Sequence, residues 1–303
     1  MWGERLGRAR DGLRGLRSRA EGLAERLPGL LVEAERVAAT VAQGVHGRRR
    51  TGIGETFWQF RTYQPGDDAR GIDWRQSARA DQTYFVREQE WEAAESVWLW
   101  CDTSASMRFR SQASREGKQE RALLLALALA ALLVRAGERV ALLGSGHPPA
   151  GGRFGLERLF EGLERALDQG QSLPPAEPLP GFARLVLLSD FYAPLASWQA
   201  RLRAFDGGGR SAALLQIVDP MEEELAVGGR VLFEGPEAEG RRLIGQVEAI
   251  RQDYRRLFEA HRGALRDLCQ RRGWRFAVHR TDRSGAAGLL GLYEMLAPSA
   301  RAR

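Results

Sequence analysis

Residues 96–107 read SVWLWCDTSASM: an apolar run from Val97 to Cys101 leads straight into Asp102 and then into a loop of small hydroxyl-bearing residues. An apolar run without polar alternation is what a strand covered on both faces requires. Two later segments repeat the pattern, ARLVLLSD at 183–190 and SAALLQIVD at 211–219, and each also ends in an acid. RVALLGS at 139–145 and WRFAVHRT at 274–281 are further strand candidates. Helix-period segments separate them. The first spans about Gln119 to Arg135 and closes at Gly137; LERLFEGLERAL at 156–167 and a stretch from Ser197 to Phe205 follow. Strand and helix in alternation predict an α/β fold with a doubly wound, mostly parallel sheet. RVLFEG and RRLIGQV, at 230–235 and 241–247, read as a hairpin, followed by a charged helix from Val247 to Arg272 and a terminal helix from Gly288 to Leu296.

The chain has 303 residues, 44% of them hydrophobic and 28% charged, which suits a globular protein and excludes global disorder. Two cysteines make no disulfide scaffold and fit a reducing, cytoplasmic setting. The net charge of +6 is a small excess of 45 basic over 39 acidic groups, and these are interspersed. Lys118 is the single lysine among those basic residues. The longest apolar run, Ala122 to Val134, falls well short of the roughly 20 residues a membrane span needs, so no span is expected. The N-terminus carries charge without an apolar core, so no secretory signal is expected.

Four regions are expected. Residues 1–43 form an amphipathic helical arm with leucines at helical spacing, broken by Pro28-Gly29. Residues 44–95 are an Arg/Asp/Trp-rich segment, of which only TYFVREQEW at 83–91 reads as a strand. Residues 96–297 carry the sheet domain with its hairpin-helix elaboration, and 298–303 are a tail.

In an open α/β sheet, sites form at the carboxyl ends of the strands. Asp102, Asp190 and Asp219 all stand at such ends. Asp102, Ser104 and Ser106 alternate, so one carboxylate and two hydroxyls can point the same way, and Asp190 on a neighbouring strand would face them. Hard oxygen donors of this kind suit Mg²⁺, Mn²⁺ or Ca²⁺, with water completing the shell, and Mg²⁺ or Mn²⁺ is the expectation.

Asp102-x-Ser104-x-Ser106 after an apolar strand resembles the metal-ion-dependent adhesion site of von Willebrand factor A domains. RTGIGETFWQFRTYQPGDDARGIDWRQSAR at 50–79, FVREQEWE at 85–92, DTSASM at 102–107 and DPMEEE at 219–224 together resemble a bacterial family, domain of unknown function 58. The resemblance covers roughly residues 45–297 and is specific over 47–107. It implies a von Willebrand factor A-like sheet and an adaptor or maturation factor working with a MoxR-type AAA+ ATPase on a client protein. It also implies a divalent cation on Asp102, Ser104, Ser106 and Asp190, met by an acidic side chain of a partner. The adhesion site also uses a threonine, and this chain has none between Thr103 and Thr281; Ser145 and Ser172 are the available stand-ins.

In the Arg/Asp/Trp-rich segment, Arg61, Asp67, Asp68, Arg70, Asp73 and Trp74 are candidate partner-binding residues, and their density also suits an intramolecular ion-pair network. Arg48, Arg49 and Arg50 beside Trp58 and Tyr63 leave a second reading open, a nucleic-acid or anionic-surface binder. Nucleic acid is the weaker expectation; a peripheral membrane contact through the N-terminal arm is the other alternative. Catalysis is not expected. Ser104 stands where an Asp-x-Asp phosphohydrolase needs its second carboxylate, no Gly-x-Ser-x-Gly elbow occurs, and the four histidines share no ligand spacing. Cys101 and Cys269 read as packed thiols.

Overall fold

The computed structural model describes residues 50–52, 56–62, 77–78, 84–91, 96–114, 116–237 and 239–296. They fall in two compact units, one within residues 42–94 and one within 95–303. In the first unit, β1 (Arg50–Gly52), β2 (Thr56–Thr62) and β3 (Phe85–Trp91) form an antiparallel sheet in the order β1-β3-β2, with an irregularity between Phe57 and Gln59. Of these three strands only β3 is legible in the sequence. The short β1 and the Arg- and Gly-rich flanks of β2 hide the other two.

The second unit is built on five parallel strands: β4 (Ser96–Cys101), β5 (Arg139–Leu142), β6 (Arg184–Ser189), β7 (Ser211–Val218) and, after a separate antiparallel hairpin of β8 (Val231–Gly235) with β9 (Gly240–Ile244), β10 (Arg275–Arg280). Their order is β10-β7-β6-β4-β5. The chain leaves β4 toward β5 on one side and resumes at β6 on the other, so the strand order reverses between β4 and β6. An antiparallel bridge between Val140 and Ala150 extends the β5 edge before the chain returns.

Strand alternation sorts the core into two layers. Val97, Leu99 and Cys101 of β4 face one side with helices α1 (Lys118–Arg135), α2 (Gly152–Leu167) and, near the C-terminus, α6 (Gly285–Leu296). Trp98 and Trp100 face the other side with α3 (Leu195–Arg203) and α5 (Val247–Gln270), where the fully buried Trp198 meets Phe191 at 4.7 Å. This is the doubly wound arrangement expected from the sequence. Helix α1 is buried on every side from Ala122 to Leu133, as its unbroken apolar sequence demands. It ends where Gly137 takes a φ of +86°, a left-handed stop that favours glycine. The short helix α4 (Pro220–Glu224) was not foreseen; Asp219 and Glu222 form a capping box at its start, with Pro220 in the first turn. Among the described residues no helix is long and apolar enough to cross a membrane.

Candidate functional site

Strand register creates the site. Cys101 pairs with Leu188, so Asp102 leaves β4 beside Ser189 and one residue ahead of Asp190. The Asp102 backbone N–H donates to the Leu188 carbonyl at 2.9 Å, and the Ser189 hydroxyl donates to Asp102 Oδ2 at 2.6 Å. Asp102 Oδ1 accepts from the Ser104 backbone N–H at 2.9 Å and from Ser104 Oγ at 2.5 Å. Ser104 Oγ stands 3.2 Å from Ser106 Oγ, which donates to Asp190 Oδ2 at 2.7 Å. Asp102, Ser104, Ser106 and Asp190 are all buried and form one continuous hydrogen-bonded chain. The structure therefore brings together Asp102, Ser104 and Ser106, which the alternation nominates, and Asp190, which its place at a strand end nominates. They sit at the switch point, where a crevice is topologically expected.

Electrostatics there are anionic. Burial, reinforced by the neighbouring Asp190 charge, pushes the Asp102 carboxyl from 3.8 up to about 6, although Ser104 and Ser189 oppose the shift. A buried carboxylate held this way is stabilised by any nearby cation.

One cation is already built in. Lys118, at the start of α1, is fully buried, and its Nζ lies 2.8 Å from Asp190 Oδ2 and 2.6 Å from Glu222 Oε1. The same ammonium stacks 4.6 Å from the Tyr192 ring centre. Burial alone would lower the Lys118 pKa, but the two carboxylates outweigh it and the net shift is upward. Glu222 goes up as well, because for the carboxyl burial outweighs the attraction of Lys118. Burial, with Glu222 and Asp190 adding to it, drives the Tyr192 phenol well above its usual range.

A further layer positions Asp190. Its backbone carbonyl accepts from Gln216 Nε2 at 3.0 Å, Gln216 Oε1 accepts from Arg262 Nε at 3.0 Å, and Arg262 pairs with Glu223 at 2.7 Å. The next residue, Phe191, has a φ of +59°, a left-handed conformation unusual for an aromatic residue. Its N–H donates to Ser189 Oγ at 2.8 Å, and its ring is wedged against Trp198, so packing holds the strained turn.

The remaining sequence candidates separate from this cluster. Asp219, the third acid at a strand end, is a cap: its carboxylate accepts from Met221 N at 2.9 Å and Ser111 N at 3.0 Å. Ser145 does not replace the missing threonine; its hydroxyl accepts from His147 N at 3.3 Å in a different loop. Thr281 bonds Ser114 at 2.6 Å, and Thr103 accepts from Gln171 N at 3.1 Å. Both cysteines are buried free thiols. Arg61 lies in β2, while Asp67, Asp68, Arg70, Asp73, Trp74 and the arm of residues 1–43 lie outside the described residues. Lys118, Ser189 and Glu222 were not nominated from sequence. For Lys118 the signal was present: a lone lysine in a chain that otherwise uses arginine, placed at the start of a buried helix.

The donor set can hold a hard divalent cation but does not close a shell by itself. Among the described residues no three His, Cys, Asp or Glu side chains converge as a metal site, so two carboxylates and two hydroxyls would leave the rest of any shell to other donors. Asp102, Asp190 and Glu222 are three acids against the single ammonium of Lys118, so the formal excess at the site is anionic.

Relatives of this chain include an uncharacterised protein of Mycobacterium bovis and two of Mycobacterium tuberculosis. Each is 27% identical over 277 residues, with 82% of this chain and 82% of the relative covered. No solved structure matches it. The match to the family described as "Protein of unknown function DUF58" spans residues 59–264, more than half of the chain and all of the Asp102–Asp190 cluster, and on that extent the chain belongs to the DUF58 family.

Proposed function

We propose that Asp102, Ser104, Ser106 and Asp190 hold a divalent cation, Mg²⁺ or Mn²⁺, and that an acidic side chain of a partner protein completes the site. On this reading the chain is a cytoplasmic adaptor, not an enzyme, working with a MoxR-type AAA+ ATPase on a client protein. The observation that carries the reading is the meeting of two carboxylates from adjacent strands on two hydroxyls 3.2 Å apart, where the strand order reverses. The von Willebrand factor A resemblance of the Asp102–Met107 loop supports the cation. The wider family resemblance supports the ATPase.

A bound cation would neutralise the paired carboxylates and offer a seat for an incoming carboxylate oxygen. This chain's own residues do the positioning. Ser189 and the Ser104 N–H orient Asp102. Lys118, on the carboxylate oxygen that also accepts from Ser106, and Gln216, on the backbone carbonyl, hold Asp190.

The test is calorimetric titration of Mn²⁺ and Mg²⁺ into the full chain and into Asp102→Asn, followed by capture of the ATPase with and without the ion. Saturable binding in the wild type that is lost in the variant, with ion-dependent capture, is the expected result. No binding in the wild type, or equal binding in the variant, overturns the proposal.

A further inference from the structure

The hairpin β8–β9 places an acid of this chain on the same loop. Glu237, in the turn joining the two strands, accepts from the Ser106 backbone N–H at 2.9 Å, a contact between residues 131 apart in sequence. That N–H belongs to the residue whose hydroxyl bridges Ser104 and Asp190. Glu237 is itself exposed while the Ser106 it bonds is buried, so the contact lies at the edge of the cluster. The turn is braced for this: the Glu237 N–H donates to Glu239 Oε2 at 2.9 Å.

The ribbon behind the turn has little to hold it down. It forms a separate two-stranded sheet, and cross-strand partners Leu232 and Leu243 are 56% and 51% exposed. A two-stranded ribbon is at best marginally stable by itself. Its base is fastened to the start of α5, where the Val247 N–H donates to the Gly229 carbonyl at 3.1 Å and the Gly229 N–H donates to Glu248 at 2.7 Å. A fixed base, a weakly held ribbon and an acidic tip on the loop make a lever with a latch.

We propose that Glu237 is a tethered acidic ligand: it occupies the position that a partner's carboxylate takes, and the partner, an acidic segment of another protein, must displace the hairpin tip to dock. The inference rests on the cation-dependent reading above and adds to it an internal competitor. A tethered group competes at an effective concentration in the millimolar range, so weak acidic ligands are shut out while a strong partner still opens the site.

The test uses the full chain, Mn²⁺ and a tetraglutamate peptide as probe, comparing wild type with Glu237→Ala and Glu237→Gln. Calorimetry should show Mn²⁺ binding in all three and at least tenfold tighter peptide binding in both variants. Amide exchange should quicken in β8 and β9 of Glu237→Ala, and peptide should quicken it in the wild type. If Mn²⁺ binds but peptide affinity is the same in wild type and variants, the latch is refuted while the cation site stands. If Mn²⁺ binds to none of them, the cation-dependent reading falls and takes the latch with it.

Discussion

Replacing Lys118 by methionine removes one charge from the centre of the site while keeping a side chain of similar length. The ammonium is fully buried, bonded at 2.8 Å to Asp190 and at 2.6 Å to Glu222. Its loss strands two mostly enclosed carboxylates without their cation. Breaking a buried pair from one side costs roughly 3–5 kcal/mol, far more than the net worth of the intact pair. For a folded unit of about 200 residues, where 1 kcal/mol moves Tm by about 2–4 °C, the melting point should fall by roughly 6–20 °C. The deficit should also depend on pH. Glu222 already has a raised pKa, chiefly from burial, and removing Lys118 takes away the largest influence opposing that rise, so the loss should shrink as pH falls from 7 to 5. At the alkaline end, the raised pKa of Lys118 means its stabilisation persists below about pH 10.4 and is lost as pH climbs through the folded-state value. Thermal melts and urea unfolding in EDTA at pH 5, 7 and 8.5 measure the loss and its acid dependence; no change is expected between pH 7 and 8.5, since both lie below the range in which Lys118 titrates. Arg153→Ala, which breaks the exposed Arg153–Glu157 pair, serves as a control expected to cost under about 0.5 kcal/mol. A loss below about 1 kcal/mol at pH 7 would refute the buried pairing. A loss equal at pH 5 and pH 7 would show that Lys118 contributes packing of its stem rather than charge.

Asp102 and His279 should give opposite pH signatures. Asp102 is raised from 3.8 to about 6, chiefly by burial, so the folded chain holds that proton more tightly and stability falls as pH rises from about 4 to 6. In EDTA, Asp102→Asn should therefore gain about 2 kcal/mol relative to wild type between pH 4 and pH 7, by urea unfolding; a flat difference would refute the burial argument. His279 is lowered from 6.5 to about 4, first by burial and then by Arg121, whose Nη1 lies 2.8 Å from its Nε2, so stability is lost as pH falls through that window. His279→Gln should lose about 3 kcal/mol relative to wild type between pH 4 and pH 7, and an opposite slope would mean the imidazole is charged in the fold. Gly155→Ala tests the α2 edge: a glycine-to-alanine change inside a helix ordinarily stabilises by about 1 kcal/mol, but here the added Cβ would run into the Ala150 carbonyl. A fall in Tm is expected, and a rise would show that the Val140–Ala150 bridge yields freely.

Legibility followed the range over which each signal acts. The runs ending at Asp102 and Asp190 were readable because a strand covered on both faces must be apolar throughout, and α1 was readable for the same reason. Asp102, Ser104 and Ser106 were readable because their alternation is local. The strands β1 and β2 were not: β1 is three residues long, and the segment's arginines and glycines mask the alternation around Phe57 and Phe60. Helix α4 was hidden by its length of five residues, although Asp219-Pro220 and Glu222 already spelled its cap.

Sequence alone determined that this chain is an α/β protein with three acids at strand ends and a hydroxyl-bearing loop after the first. Those are properties of single elements, set by burial and by local periodicity. Only the tertiary structure decided which acid faces that loop. Asp190 and Asp219 end strands of the same kind, but β6 is hydrogen-bonded to β4 and β7 is not, so Asp190 joins Asp102 while Asp219 turns away to cap α4. It likewise decided that Lys118, 72 residues from Asp190, supplies the internal cation, and that Glu237, 131 residues from Ser106, reaches the loop. Strand order and long-range register arise from the packing of whole layers, and no local pattern of residues encodes them.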